Sequence, residues 1–192
     1  MSKKYTIITY GCQMNHHDSE KISYLLETLG YTKENDLEKS DFIIYNTCLV
    51  RENAELKVYG QLGALKNLKR KKPEMIIAVC GCMMQTGDAR ATIISKYKHV
   101  DIIFGTKNIS RLPSLISRHR STGEVVVDIE EEDILDDETP INREHPFIAY
   151  VNIMTGCNNY CTFCIVPYAR GKEISRTPES IINEIKELAK KG

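Results

Sequence analysis

The chain contains no run of about 18 apolar residues, which argues against a helix that spans a bilayer. Its start, Met1-Ser-Lys-Lys-Tyr5, lacks the apolar stretch and small-residue cleavage site of a secretory signal. The expected compartment is therefore the cytoplasm, where thiols stay reduced. An excess of one charge is also missing. Lys+Arg and Asp+Glu are both 26 in 192 residues, so composition carries no basic footprint of a nucleic-acid binder. Charge is nevertheless unevenly placed, with a basic run at Lys66, Lys69, Arg70, Lys71 and Lys72 and an acidic stretch from Asp128 to Glu138. A solvated helix end and a linker account for these, with an RNA contact at the basic run as the alternative.

What is present is cysteine. Seven cysteines, an odd number in a reducing compartment, point to metal binding or catalysis rather than to a disulfide framework. With 42% apolar residues the chain can build a core, and its length allows one full domain and part of a second.

Tyr5–Tyr10 reads as a strand ending at Gly11-Cys12, followed by a helix that Asn15 can cap. The apolar stripe of that helix is Ile22, Leu25, Leu26 and Leu29, and Gly30 stops it. Asp41–Tyr45 is a buried strand ending at Asn46-Thr47-Cys48, and the next helix carries Ala54, Val58, Leu62 and Leu65 and stops before Pro73. Met75–Val79 is a third strand, Val100–Phe104 a fourth, and Ser110–Arg118 a further helix. Strands alternating with helices predict an α/β fold, a parallel sheet flanked by helices. The expected division is a domain over 1–118, an acidic linker over 119–146 with one short strand candidate at Val125–Val127, and a second domain over 147–192. That second domain opens with a strand over Phe147–Met154. Thr177-Pro178-Glu179 then starts a helix striped by Ile181, Ile182, Ile185 and Leu188. One βα unit cannot bury both faces of its strand, so the second domain is expected to be truncated.

Cys12, Cys48 and Cys82 each lie just past a predicted strand, 36 and 34 residues apart, close to the length of one βαβ repeat. All strand C-termini of a parallel sheet share one edge, where such folds place ligands. The three thiols would therefore gather there as metal ligands. Buried cysteines used for packing are the bland alternative. Zinc is a competing metal, with His16 or His17 as a fourth ligand. Cys80 lies at a strand end and is expected to pack, while Cys82 follows Gly81, where the backbone can bend.

Cys157, Cys161 and Cys164 form a Cys-x3-Cys-x2-Cys spacing in one loop after a strand. A short loop can bind three irons of a 4Fe-4S cube in this way and leave the fourth iron open to a small molecule.

This spacing resembles the radical S-adenosylmethionine (SAM) enzymes, with Phe163 as the aromatic residue before the third cysteine. Thr9–Asn15, Asp18-Ser19-Glu20, Asn46-Thr47-Cys48, Arg51-Glu52 and Gly81-Cys82 look like the N-terminal domain of the radical SAM methylthiotransferases. Gly156–Cys164, Val166-Pro167-Tyr168, Arg170-Gly171 and Ser175-Arg176 look like that family's cluster loop. The motifs span nearly the whole chain. The Gln13-Met14-Asn15 and His17–Glu20 details look most like the branch that methylthiolates isopentenyladenosine beside the tRNA anticodon. Other branches act on threonylcarbamoyladenosine or on a ribosomal-protein aspartate.

The resemblance implies two 4Fe-4S clusters. One, on Cys157, Cys161 and Cys164, would cleave SAM to a radical that removes hydrogen from the adenine carbon. The other, on Cys12, Cys48 and Cys82, would present sulfur, and a second SAM would supply the methyl group. The chemistry belongs to the cofactors and not to a side-chain acid or base. Phe163, Arg170 and Arg176 are candidate neighbours of SAM, with RNA phosphate or a surface salt bridge as the alternatives for the arginines. The implied partners are tRNA, bound mainly by parts beyond this span, and a low-potential electron donor, with the protein a monomer. The span alone is expected to be inactive. A non-catalytic iron–sulfur or zinc module is the alternative from another class.

Overall fold

The computed structural model describes residues 2–49, 52–129, 139–145 and 147–190, the side chains of 52–54 apart. Its first part is a six-stranded, wholly parallel sheet in the order β2-β1-β3-β4-β5-β6. The strands are β1 (Lys3–Thr9), β2 (Tyr31–Lys33), β3 (Phe42–Thr47), β4 (Ile76–Gly81), β5 (Ile102–Phe104) and β6 (Val126–Asp128). Every residue of β3 and β4 is buried, as expected of central strands that read as near-continuous apolar runs.

Helices α1 (Gln13–Thr28) and α4 (Leu112–Thr122) cover one face, α2 (Glu52–Lys71) and α3 (Gly87–Lys96) the other. The period-2 alternation of the strands sorts the core accordingly. Phe42, Ile44, Ala78 and Cys80 pack with Ile22, Leu26, Leu112 and Leu115 on one side. Ile43, Tyr45, Ile77 and Val79 pack with Val58, Leu62, Leu65 and Ile93 on the other. Burial of each such large aliphatic side chain contributes about 1.5–3 kcal/mol.

Several expectations shift. Helix α1 starts at Gln13 with Cys12 as its N-cap, so Asn15 does not cap it. The turn at Gly11 begins the helix early, and Asn15 is drawn into contacts with β3. Strand β2 was not anticipated, since three residues give almost no periodic signal. The sheet continues past residue 118 into the stretch read as linker: α4 runs to Thr122, Gly123 closes it in the left-handed region, and β6 pairs with β5. Most of the acidic stretch, residues 130–138, lies outside the described residues.

The second part holds β7 (Met154–Thr155), α5 (Val166–Arg170), β8 (Ile174–Ser175) and α6 (Pro178–Lys190). The strand expected over Phe147–Met154 is present only at its end. β7 pairs antiparallel with β8, and no parallel neighbour flanks it among the described residues. Without such a neighbour the preceding backbone has no ladder to join, and Phe147 is largely exposed. The stripe of α6 is only partly covered, with Ile182 and Ile185 exposed.

Candidate metal centre

In the order 2-1-3-4-5-6 the chain leaves β1 in one direction to β2 and in the other to β3. The crevice beyond the C-terminal ends of β1 and β3 is the switch point where open α/β sheets bind ligands. Register places Thr9 opposite Asn46 and Asn46 opposite Cys80. Cys12, Cys48 and Cys82 therefore follow three adjacent strands on one edge.

Two glycines let these chain passes close up. A Cβ on Gly11, whose φ is +145°, would stand 3.0 Å from Cys48 Cβ and 2.6 Å from Asn15 Oδ1. A Cβ on Gly81, at φ +97°, would stand 2.3 Å from the Thr47 carbonyl oxygen. Only glycine fits either position. Polar side chains then fix the edge. Asn15 Nδ2 donates to Asn46 Oδ1 and to the Thr47 carbonyl, both at 3.1 Å, and Asn46 Nδ2 donates to the Asn15 carbonyl at 2.8 Å. Thr47 Oγ1 donates to the Cys80 carbonyl.

The structure brings three chain positions together without bringing three sulfurs to one point. Cys12 is exposed and its thiol donates to Asn15 Oδ1 at 3.4 Å. Cys48 and Cys82 are buried, and Cys82 Sγ accepts from Arg170 Nε at 3.3 Å. Among the described residues, no three His, Cys, Asp or Glu side chains are gathered tightly enough to hold a metal ion. No cysteine is in a disulfide. The donor set nonetheless fits a thiophilic centre, since three soft thiol ligands share one edge. Burial raises the Cys82 pKa, opposed by the Arg170 charge, so a metal that binds there displaces a proton. Cys80 lies inside the strand, almost wholly buried in the core beneath α1 and α4, and burial pushes its thiol well up. His17 is buried and its Nδ1 meets Asn152 Nδ2 at 3.1 Å, while the His16 ring lies 6.2 Å from that of Tyr150.

The second set stays within its loop. Cys157 and Cys164 are half-buried and Cys161 exposed. Gly156, at φ +74°, lets the Cys157 N–H reach the Gly171 carbonyl at 3.1 Å, and the Cys164 N–H donates to the Cys161 carbonyl at 2.9 Å. Phe163 is 91% exposed at the loop.

The arginines beyond the loop take different places. Arg176 pairs with Glu184 and donates to the Asn152 carbonyl and Ser180 Oγ, tying β8 to α6. Arg170 is buried, and its Nη2 meets Asp18 Oδ2 at 2.7 Å. Burial opposes the charge on its guanidinium, but Asp18 and Cys82 more than offset it and hold the pKa up. A cleft of about 370 Å³ opens beside this pair between α1, the loop after β5 and residues 152–184; Lys21, Lys107 and Glu184 line it.

The sequence reading did not foresee the buried polar run on α1. Asn15, His17, Asp18, Ser19, Glu20 and Ser23 are all buried, although such residues ordinarily mark a solvated face. Later chain covers three of them, Asp18 by Arg170, His17 by Asn152, and Glu20 by the Glu144 N–H at 3.0 Å, while Asn15, Ser19 and Ser23 bond to the sheet residues Asn46, Thr9 and Tyr5. The density of polar residues directly after Cys12 was the available signal. Two members of the basic run make structural contacts, while Lys66, Arg70 and Lys71 are exposed. Lys69 pairs with Asp101 at 2.7 Å, Lys72 with Asp41 at 3.5 Å, and the run lies at the C-terminal end of α2.

Residues 4–105 match the family described as Uncharacterized protein family UPF0004. The chain belongs to this family. Residues 151–192 match the Radical SAM superfamily, which implies SAM and an iron–sulfur cluster. Among curated relatives, a tRNA-2-methylthio-N(6)-dimethylallyladenosine synthase of Finegoldia magna is 63% identical over 98% of this chain and 41% of the relative. Proteins of the same name from Alkaliphilus oremlandii and Clostridioides difficile are 53% and 56% identical, over 100% and 96% of this chain. The chain spans about two fifths of the length of these relatives, 41% and 39% in the last two cases. Among the described residues, no helix is long and apolar enough to cross a membrane.

Proposed function

We propose that this chain is the cluster-bearing part of a tRNA methylthiotransferase acting on isopentenyladenosine. The observation that carries the reading is the placement of Cys12, Cys48 and Cys82 at adjacent strand ends of the switch-point edge, in a chain whose other three candidate ligands fill one loop. Names of relatives up to 63% identical support the substrate. In this reading each trio holds a 4Fe-4S cluster, Cys80 serves packing, and SAM binds at the second trio with Phe163, Arg170 and Arg176 nearby. When bound, the clusters and SAM supply the radical, the sulfur and the methyl group of the reaction.

The chain's own residues do the positioning. Asn15, Asn46 and Gly81 hold the first edge in shape, and Gly156 turns the cysteine loop. The domain boundary falls between β6 and residue 147. The partners are a tRNA and a low-potential electron donor, the compartment is the cytoplasm, and the protein acts as a monomer. The 192-residue span alone does not turn over, because it carries only about two fifths of the length of its relatives.

The test offers tRNA bearing isopentenyladenosine to a protein of the relatives' full length, with SAM and a reductant under anaerobic conditions. The expected result is the methylthio mass on that nucleoside. Modification only of threonylcarbamoyladenosine or of a ribosomal-protein aspartate overturns the substrate, and no SAM cleavage overturns the enzyme reading.

A further inference from the structure

The two candidate ligand sets belong to different parts of the chain, yet one side chain touches both neighbourhoods. Arg170 ends α5, directly beyond the Cys157–Cys164 loop, and both it and Asp18 are 8% exposed. Its Nη2 pairs with Asp18 on α1 at 2.7 Å, and its Nε donates to Cys82 Sγ at 3.3 Å. We propose that Arg170 is a positioning residue: it fastens the SAM-loop segment to the edge that carries Cys12, Cys48 and Cys82, and it gives the Cys82 sulfur an N–H donor. The proposal rests on the reading of the two cysteine sets given above.

The geometry requires arginine. Asp18 engages one end of the guanidinium while Nε, nearer the chain, faces the sulfur, and a lysine cannot make both contacts from one rigid plane. Burial makes the pair consequential, since removing one partner leaves an uncompensated charge. A donor to a ligand sulfur is also one of the levers by which a protein sets the potential of an iron–sulfur centre. The same side chain would thus fix the spacing of the two centres and favour the reduced state of one.

The experiment is amide hydrogen exchange on the cluster-free chain, comparing wild type with Asp18→Asn, Arg170→Gln and the double variant. It is read at Cys157, Ala169 and Gly171, whose N–H groups bond within the loop and α5, with amides of β3 and β4 as internal reference. Each single variant is expected to exchange on the order of 100-fold faster at those three amides. The double variant should be no faster than either single one, and the reference should not change. Unchanged exchange in both single variants, or effects that add, overturns the proposal. Should a variant also lose protection in β3 and β4, Arg170→Lys decides: exchange faster than wild type only over 157–171 supports the proposal, and wild-type exchange overturns it.

A second measurement concerns the sulfur contact. With Cys157, Cys161 and Cys164 replaced by alanine, the midpoint potential of the cluster assembled on the first set should fall in Arg170→Lys, and an unmoved potential overturns that contact. If the parent chain takes up no iron, the proposed function fails, while the exchange comparison still reads the Arg170–Asp18 link.

Discussion

Asn15 and Asn46 each donate a side-chain N–H to the other residue, Asn15 Nδ2 to the Asn46 side-chain oxygen at 3.1 Å and Asn46 Nδ2 to the Asn15 carbonyl at 2.8 Å. Both residues are fully buried. This reciprocal pair joins the first turn of α1 to the end of β3, so it fixes how Cys12 stands relative to Cys48. Replacing either residue by alanine strands buried partners. Asn46→Ala should lose about 1–3 kcal/mol of stability in urea denaturation. The double variant Asn15→Ala/Asn46→Ala should lose less than the sum of the singles, because they share one network. Additive losses would mean that the pair is not coupled.

Glycine substitutions should have opposite signs in two parts of the fold. Gly60 and Gly63 lie on α2 with nothing within 4 Å of an added Cβ. Gly63→Ala should therefore stabilise the chain by about 0.5–1 kcal/mol. Gly81→Ala meets both a positive φ and the Thr47 backbone, and should cost more than about 1 kcal/mol. Thermal unfolding of both variants checks the contrast, and a Gly81→Ala chain as stable as wild type would contradict the close approach at the cysteine edge.

The parallel sheet and the positions of the cysteines were legible because Phe42–Tyr45 of β3 and Ile76–Val79 of β4 are unbroken apolar runs and each strand is followed at once by a cysteine. The central architecture and the choice of one edge both follow from that pattern. What escaped was tertiary. Asn15 looks like a helix cap, but β3 claims it for a contact across the sheet edge. Asp18 and His17 look solvated, yet they are buried because Arg170 and Asn152, more than 130 residues later, fold over them. Local propensity carries no record of such partners. The strand expected over Phe147–Met154 fails for a related reason: its pattern is apolar, but strand pairing needs a neighbour, and among the described residues the two of β8 and an isolated bridge from His145 to Ile148 are all that pair with it.

His17 gives the contact between the two parts a pH dependence. Burial, with Lys21 adding to it, outweighs Asp18 and holds the imidazole below its ordinary value of 6.5. Its Nδ1 accepts from Asn152 Nδ2, which requires an unprotonated nitrogen there. A histidine with a depressed folded-state pKa takes up its proton more readily when unfolded. Its contribution to stability is therefore complete above about pH 6.5 and is lost as pH falls from there toward the lowered value. Titration of the His17 ring by NMR should give a pKa below 6.5 in the folded chain, and Asn152→Asp should raise it. A His17 that titrates at or above the ordinary value would contradict the arrangement.

The most direct test of the account is anaerobic iron and sulfide quantification on the reconstituted chain and its cysteine variants. Two occupied sets predict about eight irons per chain, and about four when Cys12, Cys48 and Cys82, or alternatively Cys157, Cys161 and Cys164, are all replaced by alanine. Cys80→Ala should keep the full complement, while Cys82→Ala loses iron from the first set. Full iron in the Cys12/Cys48/Cys82 triple variant, or iron lost with Cys80→Ala and kept with Cys82→Ala, would contradict the assignment of the switch-point edge as a cluster site.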